Sequence, residues 1–133
     1  MDVTTIRQSA TIPASPGEVY DALMNTRLHS RFTGQRARIG RRVGDPFSTY
    51  DGYIDGVTLD LEPGKRIIQS WRAHEAGWPD DHYSQVSYRL EPTVSGTRLV
   101  LQHERVPSRL ADSFRKGWKE HYWTPLKAMF SQG

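Results

Sequence analysis

The chain has 133 residues, a formal net charge of +3 and no cysteine. This length predicts a single domain over residues 1–133, large enough to bury a core without disulfides or metals. The lack of cysteine excludes disulfide cross-links and thiolate zinc sites. The first residues carry no apolar run and no stretch has membrane-spanning length, so we expect no signal peptide and no membrane insertion. These features indicate a soluble, cytoplasmic protein.

Arginines are concentrated in one segment, where six occur with no acidic residue among them. They are Arg27, Arg31, Arg36, Arg38, Arg41 and Arg42. A basic run can bind phosphates or acidic partners, but it is more often a solvated surface. Within this run Phe32 is the one aromatic residue, whereas single-stranded nucleic acids are bound by interleaved aromatic and basic side chains. We therefore expect no nucleic-acid partner.

The first element in chain order is a strand. Residues 3–12 alternate polar and apolar side chains through Ile6, Ala10 and Ile12, which is typical of a half-buried strand. Pro13 cannot donate to a strand ladder, so we expect the strand to end there.

A helix over residues 16–25 follows, and its start is marked by three residues. Ser15 suits the N-cap, Pro16 suits the first helical position, and Glu18 completes a capping box. Residues 26–31 then predict a second short helical turn. A helix or helix pair therefore follows the first strand.

The middle of the chain consists of short alternating segments separated by turn residues such as Pro63-Gly64-Lys65. In one segment Val57, Leu59 and Leu61 share one strand face. Residues 76–81 form a loop. Strands are predicted at residues 36–42, 46–50, 53–61, 66–74, 82–91 and 97–106.

Short connections between successive strands predict an antiparallel sheet of about seven strands. The apolar face of such a sheet needs a cover. Only the C-terminal segment is long enough, because a helix over residues 108–130 would measure about 34 Å. We therefore predict an α+β fold in which a bent sheet surrounds this helix.

Aromatic residues recur along this last segment, and they are Phe114, Trp118, Tyr122, Trp123 and Phe130. Aromatic side chains at helical spacing usually belong to the core. In this architecture the core face of the helix would also form the wall of a cavity.

Two residues weaken the same helix in its interior. In a helix interior, glycine lowers helix stability by about 1 kcal/mol and proline by about 3 kcal/mol relative to alanine. We expect Gly117 to permit a close backbone approach or to leave room for a ligand. Pro125 cannot donate to the carbonyl of His121, so we expect a bend there.

Several stretches are similar to a known family. The more specific ones are Trp78-Pro79-x-x-His82 and Gly117-Trp118-x-x-x-Tyr122, and others lie at residues 15–23, 44–56 and 61–67. The sequence resembles the C-terminal-domain family of the activator of the ninety-kilodalton heat-shock chaperone ATPase. This family lies within the helix-grip superfamily, which includes lipid-transfer, pollen-allergen and polyketide-cyclase domains. The resemblance runs from about residue 6 to residue 130 and implies the helix-grip fold.

The resemblance implies a domain that binds a small apolar ligand, held between sheet and helix, or a protein partner. The full-length activator has two domains, and this chain is similar to the second. One alternative is a cyclase or dehydratase of the polyketide type. Another is a co-chaperone of the stress response that stimulates the chaperone ATPase, with the heat-shock chaperone as its partner.

The residues expected to line the cavity lie on the strands, the first helical segment and the last helix. They are Phe32, Phe47, Trp71, Tyr88, His103, Phe114, Gly117, Trp118, His121 and Tyr122.

Catalytic signatures are missing from the sequence. The five histidines form no His-Glu-x-x-His pair, and neither a Gly-x-Ser-x-Gly elbow nor a phosphate-binding loop occurs. We assign no catalytic residue, metal or cofactor, and an enzyme is the less favoured interpretation. We interpret His103 and His121 as histidines whose hydrogen-bonding groups are satisfied within the fold or that lie at the cavity rim. The alternative is that one of them transfers a proton to or from a bound ligand.

Overall fold

A computed structural model describes residues 1–131. The strands are β1 (Val3–Ile12), β2 (Arg38–Ile39), β3 (Pro46–Thr49), β4 (Ile54–Glu62), β5 (Arg66–Ala73), β6 (Ser84–Thr93) and β7 (Gly96–Pro107). Two short helices, α1 (Pro16–Met24) and α2 (Thr26–Thr33), follow β1. The described part of the chain closes with a continuous helical run of four parts, Ser108–Leu110 (3-10), α3 (Ala111–Trp118), Lys119–Trp123 (π) and α4 (Thr124–Ser131). Residues 108–131 are called the C-terminal helix below.

The strands form one antiparallel sheet in the order β1-β7-β6-β5-β4-β3-β2. Strands β2 to β7 make a meander, and β1 joins at the far edge beside β7. The apolar face of this sheet packs under the C-terminal helix and around one hydrophobic core. The predicted α+β helix-grip architecture is confirmed. No helix among residues 1–131 is long and apolar enough to cross a membrane.

The predicted helix start is confirmed in atomic detail. Ser15 Oγ accepts from the backbone N–H of Glu18 at 3.2 Å, and Glu18 Oε1 accepts from the backbone N–H of Ser15 at 3.1 Å. Helix α2 is longer than the predicted turn, because Asn25 caps its start and Gly34 ends it in the left-handed conformation. The helix pair closes one end of the core through Val19, Leu23 and other buried side chains.

The basic segment lies at the surface of α2, β2 and the β2–β3 turn. Arg36 pairs with Asp51 at 2.9 Å, and both side chains are well exposed. The other five arginines are exposed as well, and they are Arg27, Arg31, Arg38, Arg41 and Arg42.

Strand β2 is shorter than predicted, because the chain turns before residue 42. The Gly40 N–H donates to Pro46 O at 3.2 Å, and Asp45 Oδ2 accepts from the Arg42 N–H at 3.2 Å. These contacts close a turn over residues 40–45, so only Arg38–Ile39 remain in the ladder.

Strand β4 does not bury the apolar side chains that its alternation suggested. Val57 and Leu59 are exposed, whereas Gly56 and Thr58 face the core. A bulge between Thr58 and Asp60 then reverses the alternation. The inward face is polar or small here because Phe47 and the backbone of β5 lie so close that a Cβ on Gly56 would meet Ser70 O at 1.8 Å.

The C-terminal helix contains a π-helical segment just before Pro125. The Thr124 N–H donates to the carbonyl of Lys119, five residues earlier rather than four. At about 100° per residue, an uninterrupted α-helix would turn Trp123 away from the face that carries Phe114 and Trp118. The π segment shifts the phase, so Tyr122 and Trp123 are both buried. We predicted a bend at Pro125, and the structure shows this change of helix type beside it.

Candidate functional site

A pocket of about 470 Å³ opens between the C-terminal helix and the sheet at the β3–β4 turn. Its walls are mostly aromatic and its rim carries the charged groups. The lining residues are Tyr50, Tyr53, Ile54, Trp71, Glu75, Ser113, Phe114, Lys116, Gly117, Trp118, Glu120, His121 and Tyr122.

Gly117 keeps one wall of the pocket open. A Cβ built at this position would meet only His121 Cδ2, at 3.9 Å, which is an ordinary van der Waals contact. No neighbouring backbone approaches closely there. Of the two roles expected for Gly117, the structure therefore supports the one that leaves free space.

The deep wall of the pocket is a packed aromatic cluster. The Trp71 ring lies 5.5 Å from Phe114 and 5.7 Å from Trp118, measured between ring centroids. Trp118 in turn stacks on Trp123 with an interplanar angle of 15° at 5.5 Å. Since each ring contacts several others, this wall is a closely packed part of the hydrophobic core.

Tyr50 forms the opposite wall in an unusual backbone conformation. Its φ of 51° is left-handed, which is a rare conformation for a bulky side chain. The Tyr50 hydroxyl donates to the carbonyl oxygen of His121 at 2.5 Å, and the two rings meet edge to face. Burial raises the pKa of Tyr50 to about 12, so its hydroxyl keeps its proton and acts as a donor at neutral pH.

The mouth of the pocket carries a second tyrosine. The Tyr53 hydroxyl donates to Glu75 Oε1 at 2.8 Å. Burial, followed by this carboxylate, raises the pKa of Tyr53 well above its ordinary value. The backbone carbonyl of Tyr53 accepts a hydrogen bond from the His74 N–H at 2.8 Å. This bond connects the β3–β4 turn to the end of β5.

His103 lies behind the aromatic wall, and both of its ring nitrogens are occupied. The Trp118 indole N–H donates to His103 Nδ1 at 3.1 Å, so the ring proton is on Nε2 and donates to Ser84 Oγ at 2.8 Å. The Ser84 hydroxyl donates onward to Trp71 O at 2.7 Å. Burial lowers the pKa of His103 to about 3, so the ring is neutral. This arrangement matches the satisfied-histidine interpretation.

Six of the ten residues expected at the cavity line this pocket, and they are Trp71, Phe114, Gly117, Trp118, His121 and Tyr122. The other four, Phe32, Phe47, Tyr88 and His103, are buried and do not line it. Three of them lie behind lining rings, since Phe32 packs on Tyr122 and both Tyr88 and His103 pack on Trp118. His121 is exposed at the rim.

Seven lining residues are not among the ten expected at the cavity. Four lie on the β3–β4 turn and the end of β5, where no local pattern points toward the last helix; they are Tyr50, Tyr53, Ile54 and Glu75. Helical spacing around Gly117 could have found Ser113 and Glu120, at i−4 and i+3, whereas Lys116 is its direct neighbour in the sequence and does not share its face by that rule. Within residues 1–131 no group of three or more His, Asp or Glu side chains is arranged to hold a metal.

Comparison with known proteins places this architecture in a family. Residues 13–131 match the family model for Activator of Hsp90 ATPase homolog 1-like protein. The human protein named Activator of 90 kDa heat shock protein ATPase homolog 1 is 28% identical over 123 residues, which cover 92% of this chain and 36% of the human protein. The chain thus spans about a third of the length of the curated relatives that it matches.

Solved structures show the same fold. An HSP90 activator from Plasmodium falciparum, PFC0360w, superposes with a TM-score of 0.86 at 19% identity, covering 96% of both chains. DynU16, a protein of the dynemicin biosynthetic locus, gives a TM-score of 0.81 at 19% identity and covers 97% of this chain and 48% of its own. The sheet, the gripped C-terminal helix and the matched residues agree, and the chain belongs to the Activator of Hsp90 ATPase homolog 1-like protein family.

Proposed function

We propose that this protein binds a small apolar ligand in the pocket between the C-terminal helix and the sheet. The observation that carries the proposal is the open space beside Gly117, which faces a pocket of about 470 Å³. Ligand sites of proteins usually measure about 300–1,000 Å³ and combine apolar walls with a few polar groups. The pocket meets both criteria.

The helix sequence supports this role. A glycine in a helix interior costs about 1 kcal/mol relative to alanine. Nothing around Gly117 requires a missing side chain, because a Cβ would fit without a clash. A helix that only filled a core would gain stability from a larger residue here, whereas a ligand-binding helix gains room.

A catalytic role of the cyclase or dehydratase type has less support. Such a reaction needs a titratable group within reach of the ligand. His103 is buried, neutral and fully hydrogen-bonded behind Trp118. Burial raises the pKa of the wall tyrosines Tyr50 and Tyr122, so they keep their protons at neutral pH. Any proton transfer would therefore fall to the rim side chains Glu75, Lys116, Glu120 and His121.

The binding test compares two helix glycines that both have free space at the Cβ position. Gly117→Leu fills the pocket, whereas Gly17→Leu places the same side chain at the exposed surface of α1. We expect Nile red fluorescence to rise with the wild-type protein and with Gly17→Leu, and to be lost with Gly117→Leu. Far-ultraviolet circular dichroism should be alike in all three.

Equal dye binding by Gly117→Leu and the wild type would contradict the proposal. Loss of binding in both leucine variants would also contradict it, because the Gly17 position does not line this pocket.

Family membership favours a second proposal, in which the domain contacts a ninety-kilodalton heat-shock chaperone. The support is the 28% identity to the human activator homologue and the fold shared with the Plasmodium HSP90 activator. A coupled assay of chaperone ATPase activity at saturating protein tests it. Unchanged ATPase activity, together with no complex in analytical ultracentrifugation, would exclude this partner.

A further inference from the structure

The charges around the pocket are unequal. Two carboxylates line it, Glu75 and Glu120, against a single ammonium, that of Lys116. The fourth titratable lining group outside the tyrosines is His121, which counts as neutral in the formal charge of the chain. The pocket mouth is therefore acidic, although the whole chain carries a net charge of +3.

Glu75 has a hydrogen-bond donor but no charged partner. The Tyr53 hydroxyl donates to one carboxylate oxygen at 2.8 Å. In the part of the chain that the structure describes, the nine salt bridges include neither Glu75 nor Glu120. Most other carboxylates near the sheet are paired, for example Asp60 with Arg66 at 2.6 Å. Neither carboxylate at the mouth is therefore held in an ion pair, and the lining carries one more negative charge than positive.

The walls below these carboxylates present aromatic rings. Five of them line the pocket, Trp71, Trp118, Tyr50, Tyr122 and Phe114, and Phe114 packs against Trp71. The face of an aromatic ring carries partial negative charge and attracts cations, with tryptophan the most effective. A site with aromatic walls and an unneutralised carboxylate favours a positive group over a negative one by two independent effects.

We propose that the preferred ligand is an organic cation, an ammonium group on an apolar body, with the body between the rings and the positive charge near Glu75. This inference deepens the proposed function and rests on it. The Glu75 carboxylate and the ring of Tyr53 beside it both act on the charged head, whereas the volume beside Gly117 accepts the apolar part. An anionic ligand would meet two carboxylates at the mouth and bind least well.

The test uses three probes that share one apolar chain and differ in the head group, namely decyltrimethylammonium, 1-decanol and decanoate. Isothermal titration calorimetry at concentrations below micelle formation gives each dissociation constant. We expect decyltrimethylammonium to bind on the order of tenfold more tightly than 1-decanol, which is the gain expected of a partly desolvated cation–π contact. Decanoate should bind more weakly than either.

The results separate the two proposals. If none of the three probes binds, the apolar pocket itself is refuted and both proposals fail. If 1-decanol binds as tightly as decyltrimethylammonium, or decanoate binds best, the pocket stands and the preference for a cation is wrong.

Variants assign the preference to a residue. Glu75→Gln keeps the shape of the side chain and the acceptor for Tyr53 but removes the negative charge. It should therefore weaken the binding of decyltrimethylammonium several-fold and leave the dissociation constant of 1-decanol unchanged. Glu120→Gln should act in the same direction and serves as the second variant. Asp112→Asn removes one negative charge from the C-terminal helix at a position that does not line the pocket. It should leave the dissociation constants of decyltrimethylammonium and 1-decanol unchanged. If Asp112→Asn weakened decyltrimethylammonium binding as much as Glu75→Gln, the preference for a cation would come from the net charge of the protein. That result would overturn its assignment to the pocket.

Discussion

The hydroxyl of Tyr50 donates a hydrogen bond to the carbonyl oxygen of His121 at 2.5 Å, across the pocket mouth. In an α-helix this oxygen would accept from the residue four positions later, which is Pro125 and has no N–H. A side chain from the β3–β4 turn therefore supplies a donor that Pro125 cannot supply in the α-helical register. The contact couples the helix interruption to the wall of the pocket.

This relationship predicts the effect of Tyr50→Phe. The variant removes the donor and keeps the ring, so the His121 carbonyl loses its tyrosine partner, at a cost of about 1 kcal/mol. In a Pro125→Ala background the backbone N–H of Ala is available, and the same substitution should cost clearly less. Urea unfolding of the wild type, both single variants and the double variant measures this coupling. Equal costs in the two backgrounds would show that Tyr50 does not substitute for the missing N–H.

The hydrogen-bond chain through His103 predicts a large effect of a small deletion. Ser84→Ala leaves the buried Nε2 proton of His103 without an acceptor, which should destabilise the fold by about 1–3 kcal/mol. Ser87→Ala on the outward face of the same strand is the matched control, and we expect a change below about 0.5 kcal/mol. Chemical denaturation distinguishes the two. If Ser84→Ala and Ser87→Ala lower the free energy of unfolding equally, the His103 network does not contribute specifically to stability.

Two glycines with different surroundings predict stability changes of opposite sign when each is replaced by alanine. Gly117→Ala should stabilise the protein by up to about 1 kcal/mol, because the added methyl group meets only His121 Cδ2 at 3.9 Å. Gly56→Ala should destabilise it strongly, because the methyl group would meet Ser70 O at 1.8 Å. Thermal unfolding of both variants provides the check. A destabilised Gly117→Ala protein would mean that this wall is packed rather than open.

The buried histidines predict a loss of stability in acid. Burial lowers the pKa of His29 to about 4 and that of His103 to about 3, from an ordinary value of 6.5. Below pH 6.5 the unfolded chain binds more protons than the folded one, so the free energy of unfolding falls as pH falls. Each histidine contributes a slope that approaches about 1.4 kcal/mol per pH unit, down to pH 4 for His29 and pH 3 for His103.

The variant His29→Gln tests this slope at a residue that does not itself line the pocket but contacts the lining residue Tyr122. Denaturant unfolding between pH 6.5 and pH 4 should show a shallower fall in stability than the wild type, by the contribution of one histidine. An unchanged pH dependence would mean that His29 titrates normally in the folded state.

Local chemistry determined much of the fold from the sequence. The capping box of Ser15 and Glu18 is set by neighbouring residues, and it is present as predicted. On β5 the alternation places Ile67, Gln69 and Trp71 inward, which fits the strand predicted over residues 66–74. These features were predictable because each depends on a few adjacent residues and on the period of the element they form.

Tertiary contacts decided what the pattern could not. Val57 and Leu59 are apolar but exposed, since the bulge in β4 and the close approach of β5 set the register. Tyr50 entered the site because the β3–β4 turn folds back on the C-terminal helix, far away in sequence. The position of Gly117 in the helix was evident from the sequence, but the space beside it exists only because the sheet, the turn and the helix enclose it together. Sequence periodicity reports which side of an element is buried, whereas a cavity depends on distances between elements, and those distances arise only when the chain has packed.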